Sequence, residues 1–181
     1  MSGKIAVFLA EGFEEIEAVT PIDVLRRAGF EVVSVAIGDM QDVQGAHGVR
    51  YVADAFVDEI KASDFCMTVF PGGLPGATNL AADERVLSFA KDVYAHGGIV
   101  SAICAAPIAL AAAGLLDKAE YTCYPGFEKQ IGGAYTGKRV CVSGRIVTGC
   151  GPGASLEFAM ELVQALGKDV AQLKQGMLAA N

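Results

Sequence analysis

The strongest constraint on how this chain folds is an uncharged stretch, residues 97–114, whose conformational preference changes along its length. Its first half is rich in β-branched residues, which favour a buried strand. From Ala105 onward it is rich in alanine and leucine, which favour a helix. Pro107 suits the first helical turn, where its missing N–H has no partner to lose. Cys104 therefore lies where a strand is predicted to turn sharply into a helix.

The predicted turn at Cys104 has the sequence features of a nucleophile elbow. Ala102 and Ala106, two residues to either side, are as small as this tight turn requires. Unpaired N–H groups and the positive end of a helix dipole stabilise an anion there. We therefore predict that Cys104 ionises more readily than a free thiol, whose pKa is about 8.5. The alternative is an ordinary core cysteine, the commoner environment for a free thiol, but the elbow favours the reactive interpretation.

Composition excludes several functional classes. The chain has 181 residues, 52% apolar and 19% charged, which predicts one compact domain over residues 1–181. The net charge of −7 argues against nucleic acid or an anionic membrane as a partner. We predict no membrane span, because the one long apolar stretch has a mid-run proline and many weakly hydrophobic alanines. The five cysteines form no C-x-x-C motif, so we predict no metal site and reduced thiols in a cytoplasmic compartment.

Predicted strands and helices alternate at short spacing along the chain. The strands cover residues 5–10, 31–37, 64–70, 99–103, 121–124, 138–143 and 145–148, and residues 38–54 form a two-stranded excursion. The helices cover residues 14–28, 83–96, the segment after Cys104, 154–166 and 169–178, with a kink or restart expected at Pro21. This alternation predicts an α/β fold in which helices cover both faces of a parallel sheet.

Ligands of such a sheet bind outside the carboxyl ends of its strands, and three predicted turns converge there: residues 10–13, residues 71–73 and Cys104. Gly72 and Gly73 leave their backbone N–H groups unobstructed by a side chain. Together with the N–H of Ala105, they predict an oxyanion hole for a carbonyl group under attack. The alternative is a plain turn that ends a strand.

Three carboxyl groups begin the helix that follows the first of these turns. Helical spacing places Glu14 and Glu17 on the face turned toward the sheet. Glu14 and Glu15 are predicted to complement the helix dipole with exposed tips. Glu17 lies deeper, where an unpaired carboxylate is costly, so it should be protonated or tightly hydrogen-bonded. A protonated Glu17 beside a thiolate would donate a hydrogen bond to it and later move protons.

The chain contains only two histidines, which restricts the mechanism. His96 follows a predicted helix, where it complements the dipole. His47 lies in the glycine-rich excursion and is predicted at the surface or at an interface. Ala105, rather than a histidine, follows Cys104, so a Cys–His protease pair is poorly supported.

Four segments together resemble the DJ-1 branch of the ThiJ/PfpI superfamily. They read Ala-Glu-Gly-Phe-Glu-Glu-Ile-Glu, Val-Phe-Pro-Gly-Gly, Ala-Ile-Cys-Ala-Ala-Pro and Gly-Pro-Gly-Ala-Ser-Leu-Glu-Phe-Ala, and they follow in the same order along essentially the whole chain. The resemblance implies a flavodoxin-like three-layer sandwich and a homodimer. It implies that the helix of residues 14–28 forms the dimer contact, which would account for Ile16 and Val19 on an otherwise polar side.

The resemblance also implies a site. Cys104 would be the reactive, easily oxidised cysteine, Glu17 its protonated partner, and Gly73 and Ala105 would donate backbone N–H groups. Glu14, Gly72, Tyr124 and His47 are the further binding residues that we predict. Tyr124 stands where several relatives have a histidine, and His47 and Cys150 stand where arginine is common, so anion binding beside Cys104 is expected to be weaker.

The activity that this resemblance implies is a cofactor-free, cysteine-dependent conversion of small 2-oxoaldehydes such as methylglyoxal, or of their adducts with amino groups. The thiolate of Cys104 would attack the aldehyde, and Glu17 would move a proton between adjacent carbons. The alternative, from another class, is a redox sensor or stress chaperone in which Cys104 oxidises to sulfinic acid without turnover. A peptidase is a distant third.

Overall fold

A computed structural model describes residues 3–179 of the chain. The described residues form eleven strands: β1 (Lys4–Leu9), β2 (Val32–Ala36), β3 (Asp42–Gln44), β4 (Arg50–Val52), β5 (Ala55–Phe56), β6 (Phe65–Phe70), β7 (Ile99–Ile103), β8 (Glu120–Tyr121), β9 (Ala134–Tyr135), β10 (Val140–Ser143) and β11 (Ile146–Gly149). Seven of them make the central sheet, in the order β10-β11-β7-β6-β1-β2-β5. Neighbouring strands are parallel except for the antiparallel β10 at one edge.

The helices within residues 3–179 are α1 (Glu15–Arg27), α2 (Gly76–Ala82), α3 (Glu84–Ala95), α4 (Pro107–Ala112), α5 (Glu128–Ile131), α6 (Ser155–Ala165) and α7 (Ala171–Gly176). On one side of the sheet α1 packs against α6, and on the other side α2, α3 and α4 pack together. The predicted flavodoxin-like sandwich is therefore confirmed. Among the described helices, none combines the length and the apolar character that crossing a bilayer demands.

The central strands are continuous apolar runs because helices cover them on both faces. Every residue of β6 and β7 is buried, as is all of β1 after its first residue. Three aromatic rings fix the packing between β1, β6 and α3: Phe8 meets Phe70 and Phe89 edge to face, with ring centroids 5.4 and 5.2 Å apart. This core holds the carboxyl ends of β1, β6 and β7 side by side.

Several local predictions differ from the structure. The helix over residues 14–28 does not restart at Pro21, since α1 is a single 13-residue helix with the proline ring buried. The predicted strand over residues 121–124 shortens to β8, which pairs with β9 in a separate two-stranded sheet. The short elements β5, α2 and α5 were not predicted, because segments of two to seven residues carry too little periodicity. The two-stranded excursion is confirmed as β3 and β4.

Candidate active site

Cys104 occupies the turn between β7 and α4 in a strained backbone conformation. Its φ is +64°, in the left-handed region that costs a non-glycine residue about 1–3 kcal/mol. The turn is fixed at both of its peptide groups: the Cys104 N–H donates to the Gly149 carbonyl at 2.9 Å, and the Cys104 carbonyl accepts from the Tyr124 N–H at 2.8 Å. The residue is 8% exposed. The structure thus has the geometry of an elbow that presents one sulfur atom.

Glu17 is fully buried on α1 and lies beside Cys104, because a Cβ atom on Gly72 would be 2.6 Å from Glu17 Oε2 and 2.7 Å from Cys104 Cβ. Its Oε2 atom accepts a hydrogen bond from the Gly72 N–H at 2.8 Å. Its Oε1 atom is buried and has no hydrogen-bond partner among the described residues. A carboxyl group with one unmatched oxygen beside a sulfur atom fits a protonated acid whose O–H points at that sulfur.

The Pro71-Gly72-Gly73 turn at the end of β6 brings the backbone close to the Glu17 carboxyl group and to the Cys104 side chain. A Cβ atom on Gly72 would lie 2.6 Å from Glu17 Oε2 and 2.7 Å from Cys104 Cβ, so only glycine fits there. The N–H groups of Gly73 and Ala105 lie close enough to Cys104 to lower the pKa of its thiol. The prediction of an oxyanion hole needs correcting at Gly72 alone, because the Gly72 N–H donates to Glu17 Oε2 at 2.8 Å and is not directed at a substrate carbonyl.

The ionisation of Cys104 and Glu17 is coupled. Burial raises the pKa of Glu17 to about 7, although hydrogen bonds from Cys104 and Gly72 lower it in part. Burial and the charge of an ionised Glu17 raise the pKa of Cys104, whereas the N–H groups of Gly73 and Ala105 lower it. The expectation that Cys104 ionises more readily than a free thiol is therefore wrong for the form in which Glu17 is ionised, because that charge and burial raise the pKa of the thiol. The two groups cannot both lose their protons near neutral pH, and the thiol ionises only if Glu17 keeps its proton.

The structure corrects the prediction that Glu14 and Glu15 have exposed tips. Both are buried, at 8% and 9% exposure, because the hairpin of β3 and β4 folds over the start of α1. The Glu15 carboxylate accepts hydrogen bonds from the His47 N–H at 2.7 Å, from His47 Nδ1 at 2.9 Å and from the Val49 N–H at 3.3 Å. Burial alone would raise the pKa of Glu15, but these bonds outweigh it and lower the value.

His47 and Tyr124 lie at the surface around this site. The His47 side chain is 70% exposed, as predicted, and its bond to Glu15 raises its pKa. The Tyr124 side chain is half exposed, and its ring lies against Gly151. His96 binds the Asp92 carbonyl at the end of α3. The two imidazoles therefore pair with groups other than the Cys104 thiol.

Two residues with clear structural roles were missed. Glu15 anchors the β3–β4 hairpin, and Gly149 accepts the hydrogen bond that fixes the elbow. Their partners lie 32 and 45 positions away along the chain, as the residue numbers show, so no local pattern signals either contact.

A family comparison is consistent with this geometry. The model of the DJ-1/PfpI family matches residues 3–165. The chain belongs to the DJ-1/PfpI family. Within the family, it is 38% identical over 178 residues to the zebrafish Parkinson disease protein 7 homolog, covering 94% of each chain. It is also 38% identical to the Arabidopsis thaliana protein DJ-1 homolog B, covering 97% of this chain but spanning only 41% of that longer relative.

Two further relatives in the DJ-1/PfpI family have names that state an activity. One is a glutathione-independent glyoxalase of Caenorhabditis elegans, DJR-1.2, 34% identical over 86% of this chain and 84% of its own length. The other is a putative cysteine protease of Bacillus subtilis, YraA, 34% identical over 92% of this chain and 99% of its own length. The family thus includes glyoxalase and candidate protease members.

Solved structures of DJ-1 proteins have nearly the same fold. Drosophila melanogaster DJ-1beta superposes with a TM-score of 0.93 at 33% identity and covers all of both chains. Toxoplasma gondii DJ-1, solved in an oxidized form, superposes with a TM-score of 0.94 at 35% identity over 99% of this chain and 100% of that chain.

Proposed function

We propose that this protein is a glutathione-independent glyoxalase that converts small 2-oxoaldehydes, or their adducts with amino groups, to 2-hydroxy acids. The observation that carries the proposal is the contact between the Cys104 thiol at a strained elbow and the buried carboxyl group of Glu17. The C. elegans relative with a glyoxalase name supports the same chemistry.

The active form of the pair carries its single remaining proton on Glu17. In that form the sulfur anion accepts hydrogen bonds from the Gly73 N–H, the Ala105 N–H and the Glu17 O–H. In the opposite form the carboxylate would have only the Gly72 N–H and a weak S–H donor, while two amide donors would face a neutral sulfur. Hydrogen-bond donors stabilise an anion more than a neutral atom. Three donors face the sulfur anion, whereas two would face the carboxylate, so the form with the thiolate is favoured.

The reaction then runs without an external oxidant. The Cys104 sulfur adds to the aldehyde carbon while Glu17 gives its proton to the aldehyde oxygen, which forms a hemithioacetal. The Glu17 carboxylate next takes the C–H proton from that carbon, and a proton is returned to the neighbouring carbon. The former aldehyde carbon is oxidised and the former ketone carbon reduced, which leaves a thioester. Water cleaves the thioester, releases the 2-hydroxy acid and restores the thiol.

The direct test is lactate formation from methylglyoxal by the purified protein in the absence of glutathione. We expect Cys104→Ser to fall to the rate of buffer alone, while Cys66→Ser, which changes a buried cysteine at the start of β6 outside the site, keeps the wild-type rate. A Cys104→Ser protein that still forms lactate at the wild-type rate would rule out the mechanism.

A redox sensor is the second candidate, and the oxidized form of the T. gondii relative favours it. Two peroxide molecules would convert the Cys104 thiolate to a sulfinate, each peroxide being reduced to water. Mass spectrometry after mild peroxide treatment distinguishes the cases: a sensor gains oxygen first at Cys104, whereas even oxidation of all five cysteines would exclude selective sensing. A protease is less well supported, because no described imidazole contacts the Cys104 thiol.

A further inference from the structure

A second cluster of chemically active side chains lies beside the proposed catalytic pair but has no part in the mechanism. It consists of Glu14 and Glu15 at the start of α1 and His47 in the β3–β4 hairpin. One donor atom from each lies within 4.8 Å of the other two. His47 Nδ1 is 2.9 Å from Glu15 Oε2 and 3.2 Å from Glu14 Oε2.

Glu14 is the member of the cluster that protein contacts leave unexplained. Its side chain is nine-tenths buried, and the polar contact recorded for its carboxyl group is the 3.2 Å approach of His47 Nδ1 to Oε2. The proton that His47 Nδ1 can carry is directed at Glu15, in the shorter and better aligned contact. Two buried carboxylates that share one imidazole nitrogen are incompletely compensated, so the position of Glu14 facing His47 suits a further cation.

Glu15 is held in the orientation that a metal ligand needs. Its Oε1 atom accepts from the backbone N–H groups of His47 and Val49, which leaves Oε2 directed toward the imidazole. Outer hydrogen bonds of this kind fix a ligating carboxylate in place. Gly45 packs so closely against the Glu15 side chain that a Cβ atom would collide with it, which holds the hairpin down on the carboxylate.

We propose that Glu14, Glu15 and His47 bind a divalent cation of the zinc class, through one oxygen of each carboxylate and the Nδ1 atom of the imidazole. One nitrogen and two carboxylate oxygens suit zinc better than calcium or magnesium, which prefer oxygen alone. Ligand atoms about 2.0–2.1 Å from a tetrahedral ion lie about 3.3 Å from one another. The observed separations of 2.9 and 3.2 Å approach that value, and the exposed His47 ring is free to adjust.

The charges of the cluster support a divalent ion over a proton. If His47 alone were protonated, two carboxylates would share one positive charge. A divalent ion balances both carboxylates and leaves its fourth position to water on the open side, where the imidazole is 70% exposed. The sequence contains no zinc-binding spacing, because the ligands come from two segments about 30 residues apart that only the fold brings together.

The test is titration of the full-length protein with Zn²⁺ alone, followed by calorimetry. A Cys104→Ala background removes the thiol as a competing ligand. We expect this parent to bind one zinc ion per chain, and His47→Ala and Glu14→Gln to weaken that binding at least about tenfold. His96→Ala is the matched control, since it changes the chain's other histidine, and it should bind as the parent does.

A second measurement does not depend on altering the ligands. In long-range proton–nitrogen NMR spectra of the parent, Zn²⁺ should shift Nδ1 of His47 and leave the ring of His96 unchanged. The proposal is overturned if the parent binds no zinc, if His47→Ala binds zinc as tightly as the parent, or if the His47 resonances do not move at saturation.

Discussion

Glu17 and Cys104 meet in a space that a single added methyl group would fill. The third wall of that space is Gly72, where a Cβ atom would lie 2.6 Å from the Glu17 carboxyl oxygen and 2.7 Å from the Cys104 Cβ. Such distances are shorter than van der Waals contact, so any side chain at this position would force the two groups apart.

Gly72→Ala is therefore expected to impair the reaction without unfolding the protein. The methyl group must displace either the carboxyl group or the elbow, and an error of about 1 Å in a catalytic geometry can cost a hundredfold in rate. The measurement is the rate of lactate formation from methylglyoxal. Gly38→Ala serves as control, because a Cβ atom there has no neighbour within 4 Å. Equal activity of the two variants would contradict the assigned geometry.

Glu17→Gln should lower the rate of lactate formation by about 10²–10⁴-fold, because the amide can neither protonate the aldehyde oxygen nor accept the C–H proton. In the wild type, kcat/KM should rise with pH around 7, as the pair loses its first proton. The variant should lose that rise. A rise around pH 7 that survived in Glu17→Gln would assign it to another group.

Glu17 should also make the folded protein less stable as the pH rises. Glu17 has a pKa of 4.5 in the unfolded chain, whereas burial raises the pKa for the first proton of the folded Glu17–Cys104 pair to about 7, so between these values the folded state holds a proton that the unfolded state has lost. The favourable contribution is thus complete below pH 4.5 and is lost toward pH 7, about 3 kcal/mol at about 1.4 kcal/mol per pKa unit. Urea unfolding from pH 5 to 8 should show this decline in the wild type and a flatter curve in Glu17→Gln. Parallel curves would be evidence against the raised pKa.

We propose that two copies of the chain associate through α1. Ile16 and Val19 are 54% and 41% exposed on that helix, where the resemblance to the family implies a dimer contact. Ile16→Glu would place a charge at the centre of such a contact and should convert a dimer to a monomer in analytical ultracentrifugation. Val142→Glu, on the exposed side of the edge strand β10, is the control and should leave the dimer intact. A dimer that Ile16→Glu does not weaken would place the contact elsewhere.

Local patterns in the sequence predicted most of the fold and the centre of the site. The change from β-branched residues to alanine around Cys104 located the elbow, and the structure shows the positive φ that such a turn requires. Helical spacing set Glu17 on the buried face of α1, and the structure places it fully inside. These features depend on neighbours a few residues apart, which a single sequence records well.

Contacts between distant segments account for the errors. Glu14 and Glu15 were predicted to be exposed because no residue near them in the sequence indicates the β3–β4 hairpin that covers them. The hairpin contacts Glu15 through the N–H groups of His47 and Val49, more than 30 positions away. The dependence of the pKa of Cys104 on the charge of Glu17 was missed for a related reason. The turn alone favours an anion, but the effect of burial and of Glu17 depends on tertiary packing that a local pattern does not contain.

The central claim is that Glu17 keeps its proton while Cys104 carries the charge. Infrared difference spectroscopy, with the Glu17→Gln protein subtracted, measures the carbonyl band of the protonated carboxyl group directly. The account predicts that this band persists above pH 7 in the wild type, while the ultraviolet absorbance of a thiolate appears. Loss of the band around pH 7 with no thiolate signal would show that the proton stays on sulfur, and would contradict the account.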